Sequence, residues 1–283
     1  MEKIKNLLRM IRWQYRRARQ RACYGQLDAP VFFGNAFPKS GTHLLTQVLA
    51  GFTQLGPAVN SGLPAVVMYE ATSGAEFPLE TILGEIKRYQ PGDIGYGHLH
   101  AVPEIVEALC REGMATYFIL RDPRDVAVSH VFYVTERESQ HILHDYYCNT
   151  LNNFDERLAA SIEGRPDWEF SFPDIGARFK PYMPWLERPE VLLLRFEDFI
   201  TQKEETIWAV LDHAKARGFR YDCDRESAVK LLADSIDPQR SPTFRSGKIG
   251  GWREHFTPAH KKLFNQYAGD LLVKLGYESG LDW

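Results

Sequence analysis

Hydrophobic positions along the chain fall into two patterns. Apolar runs too short for a helix, interrupted only by Thr116 and Arg195, mark buried strands at Val31–Phe33, Ala115–Leu120 and Val191–Phe196, and Ile94–Leu99 fits a further short strand. Between these runs, apolar residues recur every three or four positions, as on one face of a helix. That pattern starts at about His43 and covers Pro78–Tyr89, Pro103–Arg111, Arg124–Val134, Lys203–Ala214 and Pro258–Leu275. Punctuation agrees with it. Pro78, Pro103 and Pro123 stand at helix starts, while Gly113 and Gly276 fall just past helix ends. Residues 60–74, with Gly62, Pro64 and Gly74, read as a loop, and the aromatic-rich stretch 145–187 reads as helices without sharp bounds. Strands alternating with helices predict an α/β fold of three layers, a mostly parallel central sheet flanked by helices. With no internal repeat, low-complexity tract or Gly/Ser linker, residues 26–283 read as a single domain.

Residues 1–25 stand apart as a basic amphipathic helix. Ile4, Leu7, Leu8, Ile11 and Tyr15 fall at helical spacing, with basic residues on the other faces. Residues 1–21 carry eight Lys and Arg against Glu2 alone, a charge of +7, so the rest of the −3 chain is −10. Such a helix can lie on an anionic membrane surface, pack on its own domain or remain solvated. The overall negative charge does not suggest nucleic acid. No apolar run approaches the ~20 residues of a membrane span, and the basic N-terminus lacks the apolar segment and cleavage site of a secretory signal. Cys23, Cys110, Cys148 and Cys223 are far apart, without a C-x-x-C, which argues against a disulfide scaffold or zinc site and fits a reducing, cytoplasmic compartment.

The first strand leads into Pro38, Lys39, Ser40 and Gly41 and then a helix. A strand running through a glycine-containing turn into a helix N-terminus directs unpaired N–H groups and the positive end of the helix dipole at one spot. Lys39 adds a full charge there, and Ser40 and Thr42 add hydroxyls. A capped turn with a solvated lysine is the plainer alternative. The loop is not a Walker A sequence, because the lysine precedes the glycine. A second element is YFILRDPRDVAVSH, with Arg121 at the end of a strand and Ser129 inside the next helix. In an open α/β sheet ligands bind beyond the carboxyl ends of strands, so Arg121 and the Lys39 loop are expected to face one crevice. Arg121 could hold a phosphate through paired N–H bonds, or simply pair with Asp122 or Asp125. A third element, FRSGKIGGW at 244–252, sets Arg245 and Lys248 about a glycine that allows close backbone approach.

PKSGT after an apolar strand resembles the 5′-phosphosulfate loop of the sulfotransferases that use 3′-phosphoadenosine 5′-phosphosulfate (PAPS). R-x-P-[KR]-D-x-x-x-S, here Arg121 to Ser129, looks like that family's 3′-phosphate element, and 244–252 is similar to its late R-K-G-x-x-G-x-W element. The three occur in the family's order and cover roughly residues 31–252. The resemblance implies the P-loop-like sulfotransferase fold and transfer of a sulfuryl group from PAPS to an acceptor hydroxyl, with no metal required. It implies that Lys39 stabilises the departing oxygen and that Ser40, Gly41, Thr42 and His43 cradle the 5′-phosphate. Arg121, Ser129, Arg245, Ser246 and Gly247 would hold the 3′-phosphate, and Phe196 stands where a tyrosine often helps to hold the base. Ser246 replaces the usual lysine and Leu44 an aromatic common in animal members.

A base for the acceptor is expected among histidines near the crevice, since an ordinary pKa near ~6.5 permits proton uptake at neutral pH. G-H-L-H at 97–100 resembles the family's acceptor-activating element, which maps the base onto His98, with His100 as the fallback. As metal ligands the pair lacks a completing carboxylate or cysteine nearby. His141 and His144, three apart in an expected helix, read as a solvent-facing pair or as lining of the acceptor site. Glu197 and Asp198, between a strand and a helix, read as helix-capping or supporting carboxylates. The acceptor is expected to be a small molecule or glycoconjugate, met by loops 60–78 and 136–190. Aromatics such as Tyr133, Tyr146, Tyr147, Phe154, Trp168, Phe170, Phe172 and Trp185 either stack on it or belong to the core. The competing readings are a nucleotide-dependent kinase or phosphotransferase and a non-catalytic nucleotide-binding protein.

Overall fold

The computed structural model describes residues 2–165, 172–241, 245 and 247–283, with side chains from residue 4 onward. Strands are β1 (Val31–Ala36), β2 (Val59–Asn60), β3 (Val66–Val67), β4 (Asp93–His98), β5 (Met114–Leu120) and β6 (Val191–Arg195). Helices are α1 (Glu2–Tyr24), α2 (Thr42–Gly51), α3 (Leu79–Lys87), α4 (Pro103–Cys110), α5 (Pro123–Phe132), α6 (Phe154–Glu163), α7 (Ile175–Phe179), α8 (Asp198–Thr201), α9 (Lys203–Ala216), α10 (Arg225–Asp234) and α11 (Pro258–Lys274). Two compact units are formed. The first comprises residues 1–68, 78–120 and 184–241; the second comprises 69–77, 121–183 and 242–283.

All six strands lie in the first unit as one sheet in the order β2-β4-β1-β5-β6, with β3 pairing β4. Every pairing is parallel. The fold is therefore the α/β arrangement expected, because strands buried on both faces need apolar runs and crossover helices. β1 is central and buried at every position, and β5 is likewise buried throughout. Chain connections leave β1 toward the β2 side and β5 toward the β6 side. The carboxyl ends of β1 and β5 adjoin, Ala36 opposite Ile119, at the point where a doubly wound sheet binds ligands. Under this sheet edge-to-face and tilted contacts join Phe32, Phe52 and Phe219 at centroid separations of 4.8–5.4 Å. The stretch expected as a loop from 60 to 74 contains β3 and the end of β2. Two-residue strands carry too little periodicity to be seen in sequence; β4 supplies their ladder.

The second unit is helical. In it Arg124, 1% exposed, lies over the Trp252 and Trp283 rings at 4.0 and 4.5 Å and pairs with Asp122 and Glu278 at 2.8 and 2.5 Å. A charge so buried is tolerable only because both carboxylates and two π faces replace its hydration. α5 continues into a π-helical turn at Tyr133–Arg137, and a second such turn spans Tyr146–Thr150.

Candidate active site

The first unit carries a cationic turn built from β1 and α2. Lys39 adopts φ 70° and Gly41 φ 99°. A left-handed lysine is uncommon and costs free energy, so its presence points to a backbone shaped for a purpose. Gly41 is the N-cap of α2 and offers no side-chain cap, leaving the first N–H groups of the helix to another acceptor. Ser40 is wholly buried, and its Oγ has no hydrogen-bond partner among the described residues. A buried hydroxyl without a partner is expensive unless a ligand completes it. Together these features fit an anion seated on the turn. A Cβ at Gly41 would lie 2.8 Å from the Phe196 ring. Phe196, 7% exposed and part of the core cluster, thus supports the turn from below. Leu44 also packs against that core.

His98 ends β4, next to β1. Its Nδ1 lies 2.9 Å from the carbonyl oxygen of Ala36. A carbonyl can only accept, so the neutral imidazole carries its proton on Nδ1 and its lone pair on Nε2. Burial lowers the His98 pKa, the Ala36 bond opposes this, and the like charges of His43 and Lys39 lower it further. His43 is itself shifted down by burial and by Lys39. These three groups therefore sense one another. His100 follows the strand and is pushed down to about 4 by burial. Asn35 fixes this segment: its amide donates to the Leu99 carbonyl at 2.9 Å, and its carbonyl accepts from Leu99 N at 2.8 Å. Trp185, fully buried, adds an Nε1 donor to the same carbonyl at 2.8 Å. Asn35 escaped the sequence reading. Its signal was a polar residue inside an otherwise apolar strand.

The second unit carries a second cationic cluster, at the start of α5. Arg121, its side chain 12% exposed, donates from Nη2 to Asp125 at 3.3 Å and to the Lys248 carbonyl at 2.7 Å. The pairing alternative is thus realised with Asp125, whereas Asp122 caps α5 and holds Arg124. Asp125 does more than pair. Its carboxylate accepts from Gly250 N at 2.9 Å and Trp252 N at 2.8 Å, tying the 248–252 loop to α5. The Arg245 guanidinium lies over the Phe132 ring at 4.2 Å. Desolvation first, and then the like charge of Arg121, lower its pKa. Two neighbouring guanidiniums suit a doubly charged anion such as a phosphate monoester. Ser129 is half-buried on α5, and Gly247 has φ 63°. Ser246 lies outside the described residues, as do Trp168 and Phe170. The Lys248 ammonium pairs with Glu254.

Other sequence expectations resolve differently. His141 and His144 are not a solvent-facing pair. The His144 Nδ1 donates to the Val134 carbonyl at 2.7 Å, and His141 packs on the rings of His130 and Tyr133. The π turn at 133–137 supplies that carbonyl, and nothing in local periodicity announces such a turn. Glu197 and Asp198 open α8. Tyr147 and Trp185 are core, whereas Tyr133, Tyr146, Phe154 and Phe172 are half-buried.

The family model described as "Sulfotransferase domain" matches residues 33–276, and the chain belongs to that family. No curated protein matches it in sequence. Among solved structures, its fold is similar to retinol dehydratase in complex with androsterone and inactive cofactor PAP, at 16% identity, covering 86% of this chain and 80% of that chain, with a TM-score of 0.58. Mouse sulfotransferase SULT7A1 complexed with PAP is similar at 18% identity, 90% and 89% coverage and a TM-score of 0.57. Retinol dehydratase in a complex with retinol and PAP aligns at 17% identity, 86% and 81% coverage and a TM-score of 0.56. At such identities the likeness is one of fold.

Proposed function

We propose that the protein transfers the sulfuryl group of PAPS to an acceptor hydroxyl. The observation that carries this reading is the turn at 39–41, with two left-handed residues, an uncapped helix start and the buried Ser40 Oγ. It is the wrong loop for a Walker A nucleotide kinase and a fitting one for a phosphosulfate. Bound PAPS supplies an activated sulfur–oxygen bond. In the proposed assignment Ser40, Gly41, Thr42 and His43 hold the 5′-phosphosulfate. Lys39 offsets the charge that grows on the bridging phosphate oxygen as its bond to sulfur breaks. His98 Nε2 takes the acceptor proton as the new oxygen–sulfur bond forms. Arg121, Ser129 and Arg245 take the 3′-phosphate, with Gly247 giving backbone access, and Phe196 backs the turn. PAP and the sulfate ester are the products.

The retinol dehydratase complexes hold the alcohols androsterone and retinol. By that likeness the proposed acceptor is a hydroxyl-bearing small molecule. All four cysteines are free, which suits the proposed cytoplasmic setting.

Calorimetric titration with PAP, beside ATP with Mg²⁺, tests the donor. PAP is expected to bind without metal and ATP with Mg²⁺ weakly or not at all. Arg121→Ala should remove most PAP affinity, by about tenfold to a hundredfold for a lost charge-assisted pair. Lys39→Ala should lower turnover by ~10²–10³. Tight ATP binding without PAP binding would replace the sulfotransferase reading with a kinase one.

A further inference from the structure

α1 has two opposed faces, and only one is used by the fold. Trp13 Nε1 and Arg17 Nη1 both donate to the buried Asp93 carboxylate, at 2.9 and 2.6 Å. Gln20 donates to the carbonyls of Thr53 and Ala58 at 2.9 and 2.8 Å. These three residues, spaced by four and three, form the docked face. Residues two apart on an α-helix point about 200° apart, so Ile11 and Tyr15 flank Trp13 in sequence yet face away from it. Together with Ile4, Leu7 and Leu8 they make an outward stripe of residues 46–71% exposed. Five large apolar residues on one exposed face exceed what scattered surface residues amount to. Lys5, Arg12, Arg19 and Arg21 are exposed on the same helix.

We propose that α1 is an interfacial anchor whose stripe of Ile4, Leu7, Leu8, Ile11 and Tyr15 enters an anionic lipid surface while its exposed cations meet the headgroups. The choice of occupant rests on charge. A second copy docked on this stripe would bring two +7 segments together, whereas anionic headgroups are complementary to the cations beside the apolar residues. The helix lies on the surface and does not cross it: among the described residues no helix is long and apolar enough to span a membrane. Docking through Trp13 and Arg17 presents the stripe already folded, so little ordering cost attends binding.

The test is co-sedimentation of the intact protein with vesicles of phosphatidylcholine containing phosphatidylserine and with vesicles of phosphatidylcholine alone. The protein should pellet with the anionic vesicles, stay largely in solution with the neutral ones, and be released by high salt. The combined substitution Ile4→Ser, Leu7→Ser and Ile11→Ser should lower partitioning at least about tenfold. Arg12→Glu with Arg19→Glu should lower it comparably. Neither variant alters the docked face, so helix content and PAP affinity should be unchanged. Failure to pellet, equal pelleting of the serine variant, or a concentration-dependent dimer abolished by the serine substitutions in place of lipid binding would overturn the proposal.

Discussion

His98 can act as a base only while its imidazole is neutral, and its surroundings hold it so. Burial leads, with His43 and Lys39 adding to it, and all lower its pKa below the ordinary histidine value. The acid limb of kcat/KM should therefore fall below pH ~6.5, with full activity retained at neutral pH. An acid limb above pH 7 would remove His98 from this role, and His98→Gln should abolish the limb along with most turnover. Gly41 makes a different kind of demand. Its positive φ, and the 2.8 Å that would separate an added methyl from Phe196, mean that Gly41→Ala strains backbone and core together. A loss of ~1–3 kcal/mol in denaturant unfolding is expected, with weaker PAP binding. An unchanged midpoint would show that the turn relaxes.

At the scale of elements, Asp125 joins a helix start to a loop more than a hundred residues away in sequence. One carboxylate receives Arg121, Gly250 N and Trp252 N. Asp125→Asn keeps the shape but swaps one acceptor oxygen for a donor, which then opposes either Gly250 N and Arg121 together, both on Oδ2, or Trp252 N on Oδ1. Asp125 thus positions Arg121, and the loop that follows Arg245, in the proposed 3′-phosphate site. Asp125→Asn is expected to weaken PAP binding about tenfold or more, with a smaller effect on kcat at saturating donor. Equal loss in kcat with PAP affinity intact would argue against the positioning role. The Asn35 amide plays the corresponding part beneath His98, between β1 and the end of β4.

Across the whole molecule, several histidines are held neutral by burial. His100 and His213 are pushed down to about 4, and His43 and His98 are also lowered. In the unfolded chain each would titrate near ~6.5. Below that pH the unfolded state binds protons that the folded state refuses, so stability is complete above ~6.5 and declines as pH falls toward 4. Thermal unfolding should show Tm dropping between pH 7 and pH 5. His213→Gln should make the decline shallower, because His213 lies against the Tyr117 ring at 5.0 Å and is not in the proposed site. A flat Tm over that interval would contradict these shifts.

Much of this architecture was legible in the chain. β1 and β5 declared themselves as apolar runs because strands buried on both faces need no polar side, and β6 did so although it lies at the sheet edge and leaves Leu193 exposed. α4 and α11 were bounded by proline and glycine, and α5 was opened by proline, for backbone reasons local to those residues. The turn at Lys39, Ser40 and Gly41 was legible because a strand-to-helix turn is built from contiguous backbone. What tertiary structure alone decided was each partnership across sequence distance. The carbonyl that fixes the His98 tautomer comes from Ala36, and the acceptor for the 250–252 backbone comes from Asp125. β2 and β3 exist because β4 offers a ladder, and His144 turns inward because a π turn presents the Val134 carbonyl. The amphipathic pattern of residues 4–15 was visible from the start, but which face is spent on the fold was not. Trp13 and Arg17 reach one buried carboxylate eighty and seventy-six residues away, and that contact leaves the apolar stripe outside. Short-range patterns follow from backbone period and propensity; these choices follow from hydrogen bonds and packing that only the folded chain brings together.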